Sequence, residues 1–189
     1  MQPATTSCRS HACILSTCAE PCLYPGEHHK DRLTPIVLQT GKSDGFGTWI
    51  ATHAELICIC KYATTGTVVY MPSQDTFYFA SPSMKLGPDC PDATILIGQF
   101  VVDDDKTPRV LVFDVAKLRG ISFTDMPPRE RYSALQGIGM SLGPMCTLQW
   151  VGDCAVLGRE LASGRFKVPH QVRAVAGLTA TPGRLVEQR

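Results

Sequence analysis

A succession of short apolar segments separated by polar turns constrains the fold of this chain more than any other feature. Between Pro35 and Val115, β-branched and aromatic residues gather in short runs. Turn-forming groups such as Thr64-Thr65-Gly66 and Pro72-Ser73-Gln74-Asp75 separate these runs. Because parallel strands need a long crossover connection, closely spaced strands with short turns predict antiparallel pairing.

One helix is predicted to follow these strands. Pro127-Pro128 precedes a segment that runs from Arg129 to about Ile138, and proline suits the first turn of a helix. The predicted fold class is therefore α+β, a twisted antiparallel sheet with one or two packed helices. The predicted strands are Pro35–Gln39, Thr48–Lys61, Val68–Met71, Thr76–Ala80, Ala93–Val102 and Arg109–Val115, with one more strand pair within Cys146–Leu157.

The two ends of the chain differ from this middle part. Residues 1–33 mix Ser, Thr and Pro with four cysteines and show no sustained period, so we expect a flexible, Cys-rich leader. A zinc site there is the alternative, but only the Cys18–Cys22 gap has the tight spacing of zinc ligands. Residues 34–158 form the predicted domain, and small residues in 159–189 predict a loosely ordered tail.

Composition excludes some classes of function. A net charge of +1 over 189 residues argues against a protein that coats nucleic acid nonspecifically, because such binding needs excess Lys and Arg. No apolar run approaches the roughly 20 residues of a membrane span, so no membrane partner is expected. Nine cysteines at irregular spacing do not suggest a disulfide framework, which favours a reducing compartment, nuclear or cytoplasmic.

The tetrapeptide Lys42-Ser43-Asp44-Gly45 is the segment that most suggests chemistry. A lysine attacks the α-phosphate of a nucleoside triphosphate only as a neutral amine, in a site that lowers its pKa. Gly45 permits a sharp backbone turn, and Asp44 is able to fix that turn by accepting a hydrogen bond. The alternative is a plain strand–turn–strand in which Asp-Gly is the turn pair.

The segments after this tetrapeptide add a second pattern through their order. A hairpin comes first, then a long apolar strand, an acidic turn, a strand with an aromatic-Asp pair, an Arg-Gly pair and a helix. In this chain the segments are Tyr70–Phe79, Thr94–Asp103 with Ile97-Gly98-Gln99, Arg109–Val115 with Phe113-Asp114, Arg119-Gly120, and Pro127–Leu135.

This order resembles that of the covalent nucleotidyltransferases, above all the mRNA capping guanylyltransferases, and is also similar to polynucleotide ligases. The resemblance covers just over half of the chain. It implies that Lys42 attacks GTP and carries GMP to a 5′-diphosphate RNA end, with Mg2+ as charge screen and Asp44 orienting the lysine. By the same resemblance, Gly45, Gln99 and Asp114 surround the nucleotide, and GTP is favoured over ATP.

Several departures from the family pattern favour a different function. Gly47 stands where the family has an arginine, and Gln99 stands where it has a glutamate. An amide binds Mg2+ poorly, and the later motifs of the family are missing after Tyr132. The alternative is a catalytically inactive nucleotide- or cap-binding module, similar to the cap-binding domain of snurportin, or a structural subunit. A protein partner that supplies the missing motifs would instead restore catalysis.

Three other features have a structural and a functional interpretation. The acidic run Asp103-Asp104-Asp105 suits a solvated turn better than a cation site. Trp49 and Trp150 suit core positions, and each is also able to stack a purine.

Overall fold

The structure is a computed structural model, and it describes residues 23–25, 36–40, 45–64, 66–74, 76–168, 170–176 and 178–182. These residues contain thirteen strands, two α-helices and one 3-10 turn. The strands are β1 Leu23–Pro25, β2 Ile36–Thr40, β3 Phe46–Ala51, β4 Glu55–Tyr62, β5 Gly66–Met71, β6 Thr76–Ala80, β7 Thr94–Val102, β8 Pro108–Leu118, β9 Ile121–Ser122, β10 Cys146–Leu148, β11 Gly152–Asp153, β12 Val172–Ala176 and β13 Leu178–Pro182; the helices are α1 Pro128–Gln136 and α2 Cys154–Ala162, and the 3-10 turn is Gly139–Ser141.

Eight of these strands form the main sheet. Its order is β1-β6-β5-β4-β7-β8-β10, and β9 pairs with β8. Every neighbouring pair is antiparallel except β10 with β8, which is parallel. The short polar turns account for the antiparallel pairing, since they leave no room for crossovers. The predicted α+β class, a largely antiparallel sheet with packed helices, is confirmed.

The main sheet is covered on both faces, as the alternation along β4 shows. Ile57 and Ile59 lie in the larger apolar cluster, which includes Leu135 of α1. Cys58 and Cys60 lie in a second cluster, which includes Ile50 of β3. Successive side chains of a strand point to opposite faces, so a continuous apolar run indicates a strand buried on both sides.

Two predicted elements were wrong in part. The segment Thr48–Lys61 is two strands, β3 and β4, because the chain turns at Thr52-His53. Within Cys146–Leu157, predicted as one strand pair, β10 and β11 pair with β8 and β3 instead of with each other, and α2 begins at Cys154. The Asp153 carboxylate accepts hydrogen bonds from the N–H groups of Ala155 and Val156, which is a helix N-cap.

The ends of the chain contribute strands to the sheets. Within the segment expected to be a loose tail, β12 pairs with β3 and β13 pairs with β2, both antiparallel. β3 also pairs with β11, so two smaller sheets form, β11-β3-β12 and β13-β2. Within the predicted leader, Leu23–Pro25 pairs with β6, and the leader's four cysteines lie outside the described residues. No helix among the residues that the structure describes has the length and apolar character to cross a bilayer.

Gly98→Ala is expected to destabilise the sheet by about 1–3 kcal/mol, the usual cost of overpacking. Gly98 lies at an irregularity in the β7–β8 pairing, and a Cβ added there would be 2.8 Å from the backbone oxygen of Leu111. Gly158→Ala in α2 is the matched control, because nothing lies within 4 Å of its added Cβ. It is expected to stabilise the protein by up to about 1 kcal/mol through helix propensity. Urea denaturation of both variants measures the difference, and equal stabilities would contradict the expected clash.

Candidate functional site

A small pocket opens where β3 begins. Three elements build its wall: the first half of β3, the middle of β8 and the start of α1, with one residue from the segment before β11. The lining residues are Phe46, Gly47, Thr48, Phe113, Asp114, Pro128, Arg131 and Val151.

The turn before β3 brings the end of the K-x-D-G tetrapeptide to this pocket. Gly45 has a φ of +87°, a conformation that residues with a Cβ rarely adopt. Its carbonyl oxygen accepts a 2.8 Å hydrogen bond from the N–H of Cys154, which ties the turn to the start of α2. Phe46, the next residue, lines the pocket. Lys42 and Asp44 lie outside the described residues, so their catalytic roles stay predictions.

Asp114 lies in the pocket wall as half of a buried ion pair. Arg131 Nε donates to Asp114 Oδ1 at 2.8 Å, and Arg131 Nη2 donates to Oδ2 at 2.9 Å. The side chains of both residues are nearly inaccessible, with relative exposures of 8% for Asp114 and 3% for Arg131. Burial raises the pKa of the Asp114 carboxyl, and the opposing effects of Arg131 and of the Val115 N–H offset part of that rise. The negative charge of Asp114 is therefore engaged by Arg131.

Gln99 lies behind the pocket, in the interior between β7 and β3. Its side chain is fully buried, and its Oε1 accepts a 2.9 Å hydrogen bond from the N–H of Ala51. Its Nε2 donates to the Trp49 carbonyl at 3.1 Å and to Gln149 Oε1 at 2.5 Å. Gln149 Nε2 in turn donates to Thr48 Oγ1 and to the Trp49 carbonyl, both at 2.6 Å. This network connects β3, the middle strand of the sheet β11-β3-β12, to β7 of the main sheet.

Phe46 and Arg129 form an aromatic and basic pair beside the pocket. The guanidinium carbon of Arg129 lies 5.1 Å from the centroid of the Phe46 ring, which is cation–π geometry. Tyr132, one helical turn further on, has its ring centroid 6.2 Å from that of Phe46. Both Arg129 and Tyr132 belong to α1, so the helix places its first turns against the start of β3.

Sequence reasoning found some of these residues and missed others. Of the predicted nucleotide-binding residues, Asp114 lines the pocket and Gly45 directly precedes the lining residue Phe46, whereas Gln99 does not line it; their role in nucleotide binding stays a prediction. Phe46 and Gln149 were missed, because nothing in their local sequence marks them as special. Arg129 and Arg131 stand in the segment Pro127–Leu135, whose likeness to the family pattern was the signal by which they could have been found.

The described residues around Asp114 do not fit a Mg2+ ion. A hard cation needs free carboxylate oxygens, and both oxygens of Asp114 are engaged by Arg131. Gln99 offers an amide whose oxygen and nitrogen are both bonded within the protein. In the described part of the chain, no group of three or more His, Cys, Asp or Glu side chains is arranged to hold a metal.

The acidic run after β7 is a turn with its own partners. Asp103 pairs with Arg109, and its Oδ1 lies 3.0 Å from His170 Nε2. Asp105 accepts a 2.9 Å hydrogen bond from the N–H of Thr107. These contacts favour the interpretation of the run as a structural turn.

Comparisons with known proteins give little beyond an overall similarity. No protein-family model matches the chain, and no curated protein matches it. Among solved structures, a mycobacterial DNA ligase D complexed with ATP and MES is similar, with a TM-score of 0.47 and 15% sequence identity. The match covers 79% of this chain and 51% of the ligase chain, so this chain spans about half the length of that protein. At such identity the similarity assigns no activity to this chain.

Proposed function

We propose that this chain is a nucleotide-binding module, with the order of motifs of a nucleotidyltransferase, that binds a nucleotide or an RNA 5′ end without transferring it. The internal pairing of Asp114 with Arg131 is the observation that carries this proposal. GTP is proposed ahead of ATP because the motif order is most similar to the guanylyltransferases.

The chemistry of nucleotidyl transfer explains why this pairing matters. Negative charge develops on the phosphate oxygens in the transition state, and enzymes stabilise it with cations or bound metal ions. The two family positions that would hold a metal contain a buried amide, Gln99, and a carboxylate neutralised by arginine, Asp114. Arg131 is committed to Asp114 and to the Met126 carbonyl, so it is poorly placed to stabilise a phosphate as well.

The features that remain at the pocket suit binding. Phe46 contributes an aromatic side chain to the lining but is only 8% exposed, and the exposed Arg129 lies beside its ring. α1 begins at the pocket with Pro128, and the N-terminus of a helix attracts negative charge. A cation and a helix N-terminus at the pocket favour an anionic group such as the phosphate of a nucleotide.

A second candidate is the guanylyltransferase itself, favoured by the turn at Gly45 that ends K-x-D-G beside the pocket. In that reaction the neutral Lys42 amine would attack the α-phosphate of GTP. A P–N bond would form, the bond from the α-phosphorus to the bridging oxygen would break, and pyrophosphate would leave. A partner protein would have to supply the later family motifs that are missing after Tyr132.

The binding proposal predicts that GTP binds and leaves no covalent adduct. Arg129→Ala is expected to weaken GTP binding about tenfold, because it removes a cation beside the phosphate and the aromatic ring. Isothermal titration calorimetry measures the affinity, and Lys85→Ala, an exposed lysine outside the pocket wall, is the matched control. Equal GTP affinities in the wild type and Arg129→Ala, or no GTP binding at all, would contradict the proposal.

The two candidates differ in a labelling experiment. The protein is incubated with α-labelled GTP and Mg2+, denatured and tested for acid-labile label on the chain. A binding module gives none. Label that disappears in Lys42→Ala would establish the guanylyltransferase and overturn the binding proposal.

A further inference from the structure

We propose that Trp150 is a second subsite, a platform on which a base of single-stranded RNA stacks next to the pocket. This inference rests on the proposed function. It extends the ligand from a single nucleotide at the pocket to the RNA chain attached to it.

The two tryptophans of the chain differ in exposure. Trp49 is 5% exposed and belongs to a core cluster with Leu157, whereas Trp150 is 40% exposed. Exposed indole rings are uncommon because they leave a large apolar area in water. Trp49 occupies the core position that is usual for tryptophan, whereas Trp150 does not.

The backbone of β11 and one aromatic neighbour hold the Trp150 ring in place. A Cβ added to Gly152 would lie 2.4 Å from Cζ2 of Trp150, so the ring packs directly on the glycine backbone. The Phe166 ring lies 6.4 Å away at an interplanar angle of 57°. A ring fixed in this way loses little conformational entropy when a ligand stacks on it.

Trp150 is directly connected to the pocket. Its carbonyl oxygen accepts a 2.7 Å hydrogen bond from Thr48 Oγ1, and Thr48 lines the pocket. Val151, the next residue, also lines the pocket. Because Thr48 and Val151 join the two places, neighbouring nucleotides of one RNA chain are assigned to the pocket and the platform.

Positive charge beside Phe166 indicates a polyanion as the occupant. Arg165 and Lys167 flank Phe166, whose ring lies 6.4 Å from that of Trp150, and both side chains are exposed. Glu160 lies 3.8 Å from Arg165 and offsets part of its charge, whereas no ion pair is recorded for Lys167 in the described part of the chain. Basic side chains beside an aromatic ring are the arrangement by which proteins bind single-stranded nucleic acid.

Trp150→Ala is expected to weaken binding of a uridine-rich single-stranded RNA of about ten nucleotides by roughly tenfold, from the loss of base stacking. Fluorescence anisotropy of labelled RNA measures the affinity. Trp150→Phe keeps an aromatic face and should weaken binding by less than about threefold. Ile121→Ala, at an exposed apolar residue on β9, is the matched control and should change nothing. In the wild type, bound RNA should also protect the exposed tryptophan from iodide quenching.

Two further readouts separate this inference from the proposed function. GTP affinity of Trp150→Ala should equal that of the wild type, because the ring does not line the pocket. RNA affinity that is unchanged in Trp150→Ala, or equal for double-stranded RNA of the same sequence, would overturn the platform and leave the pocket proposal intact. RNA binding that depends on Trp150 without any GTP binding would retain the platform and reject the pocket.

Discussion

Arg131→Leu is expected to destabilise the protein by about 3–5 kcal/mol at neutral pH, the cost of leaving one charge of a buried pair without its partner. Arg131 donates to both carboxylate oxygens of Asp114, and each side chain is almost fully buried. Without Arg131, the Asp114 carboxylate would remain in the interior, with the Val115 N–H as its one remaining donor among the residues that the structure describes. Urea denaturation measures the loss.

The stability lost in Arg131→Leu should become smaller on acidification. The direction of this pH dependence follows from the pKa of Asp114. Burial already raises the pKa of Asp114 above its ordinary value of 3.8, and removing Arg131 raises it further. The folded variant then binds a proton at a higher pH than the unfolded chain does. Its stability therefore rises as the pH falls from neutral toward the ordinary aspartate pKa.

A double variant is the control for this prediction. Asp114→Leu with Arg131→Met replaces the pair by apolar groups of similar size and is expected to recover most of the lost stability. The double variant should also lose the pH dependence attributed to Asp114. If the free energy of unfolding of Arg131→Leu were within about 1 kcal/mol of the wild-type value, Asp114 and Arg131 would not form the buried ion pair described above.

Gln99→Glu is expected to destabilise the protein by a few kcal/mol at neutral pH and to create no nucleotidyl transfer. The substitution replaces two donated hydrogen bonds, to Trp49 and Gln149, by a charge that faces their oxygen atoms. It places a carboxylate at the position where the capping enzymes have one. The melting temperature and the yield of labelled GTP adduct are measured on the same preparation.

An exposed glutamine provides the matched control. Gln136→Glu makes the same chemical change on the surface of α1 and should alter stability by no more than about 0.5 kcal/mol. If Gln99→Glu instead raised adduct formation and strengthened its dependence on Mg2+, the guanylyltransferase would replace the binding module as the favoured function.

Much of the fold was predictable from local patterns. β6 was predicted with the observed bounds, Thr76–Ala80, because a short β-branched and aromatic run lies between a turn and a break. α1 was predicted to within two residues at its C-terminal end, because the proline pair marks its start. The α2 helix was missed although Asp153 is a typical N-cap residue, since its apolar sequence also suits a strand.

The C-terminal segment, expected to be a loose tail, shows a different limit of prediction from sequence. Small residues between 172 and 182 give no strong strand signal, yet they form β12 and β13 by pairing with β3 and β2. Strand formation there depends on backbone hydrogen bonds to partners more than a hundred residues away in sequence. Intrinsic strand propensity is weak and depends on such partners.

By itself, the sequence determined the succession of strands, the α1 helix and the position of the K-x-D-G tetrapeptide after a strand. These features follow from periodicity and turn chemistry, which act over a few residues. Only the tertiary structure decided how the polar residues are used. Asp114 and Arg131 are 17 residues apart, and Gln99 and Gln149 are 50 apart. No local pattern specifies those partners, because buried polar groups pair with whatever the packing of β3, β7, β8 and α1 brings within hydrogen-bonding distance.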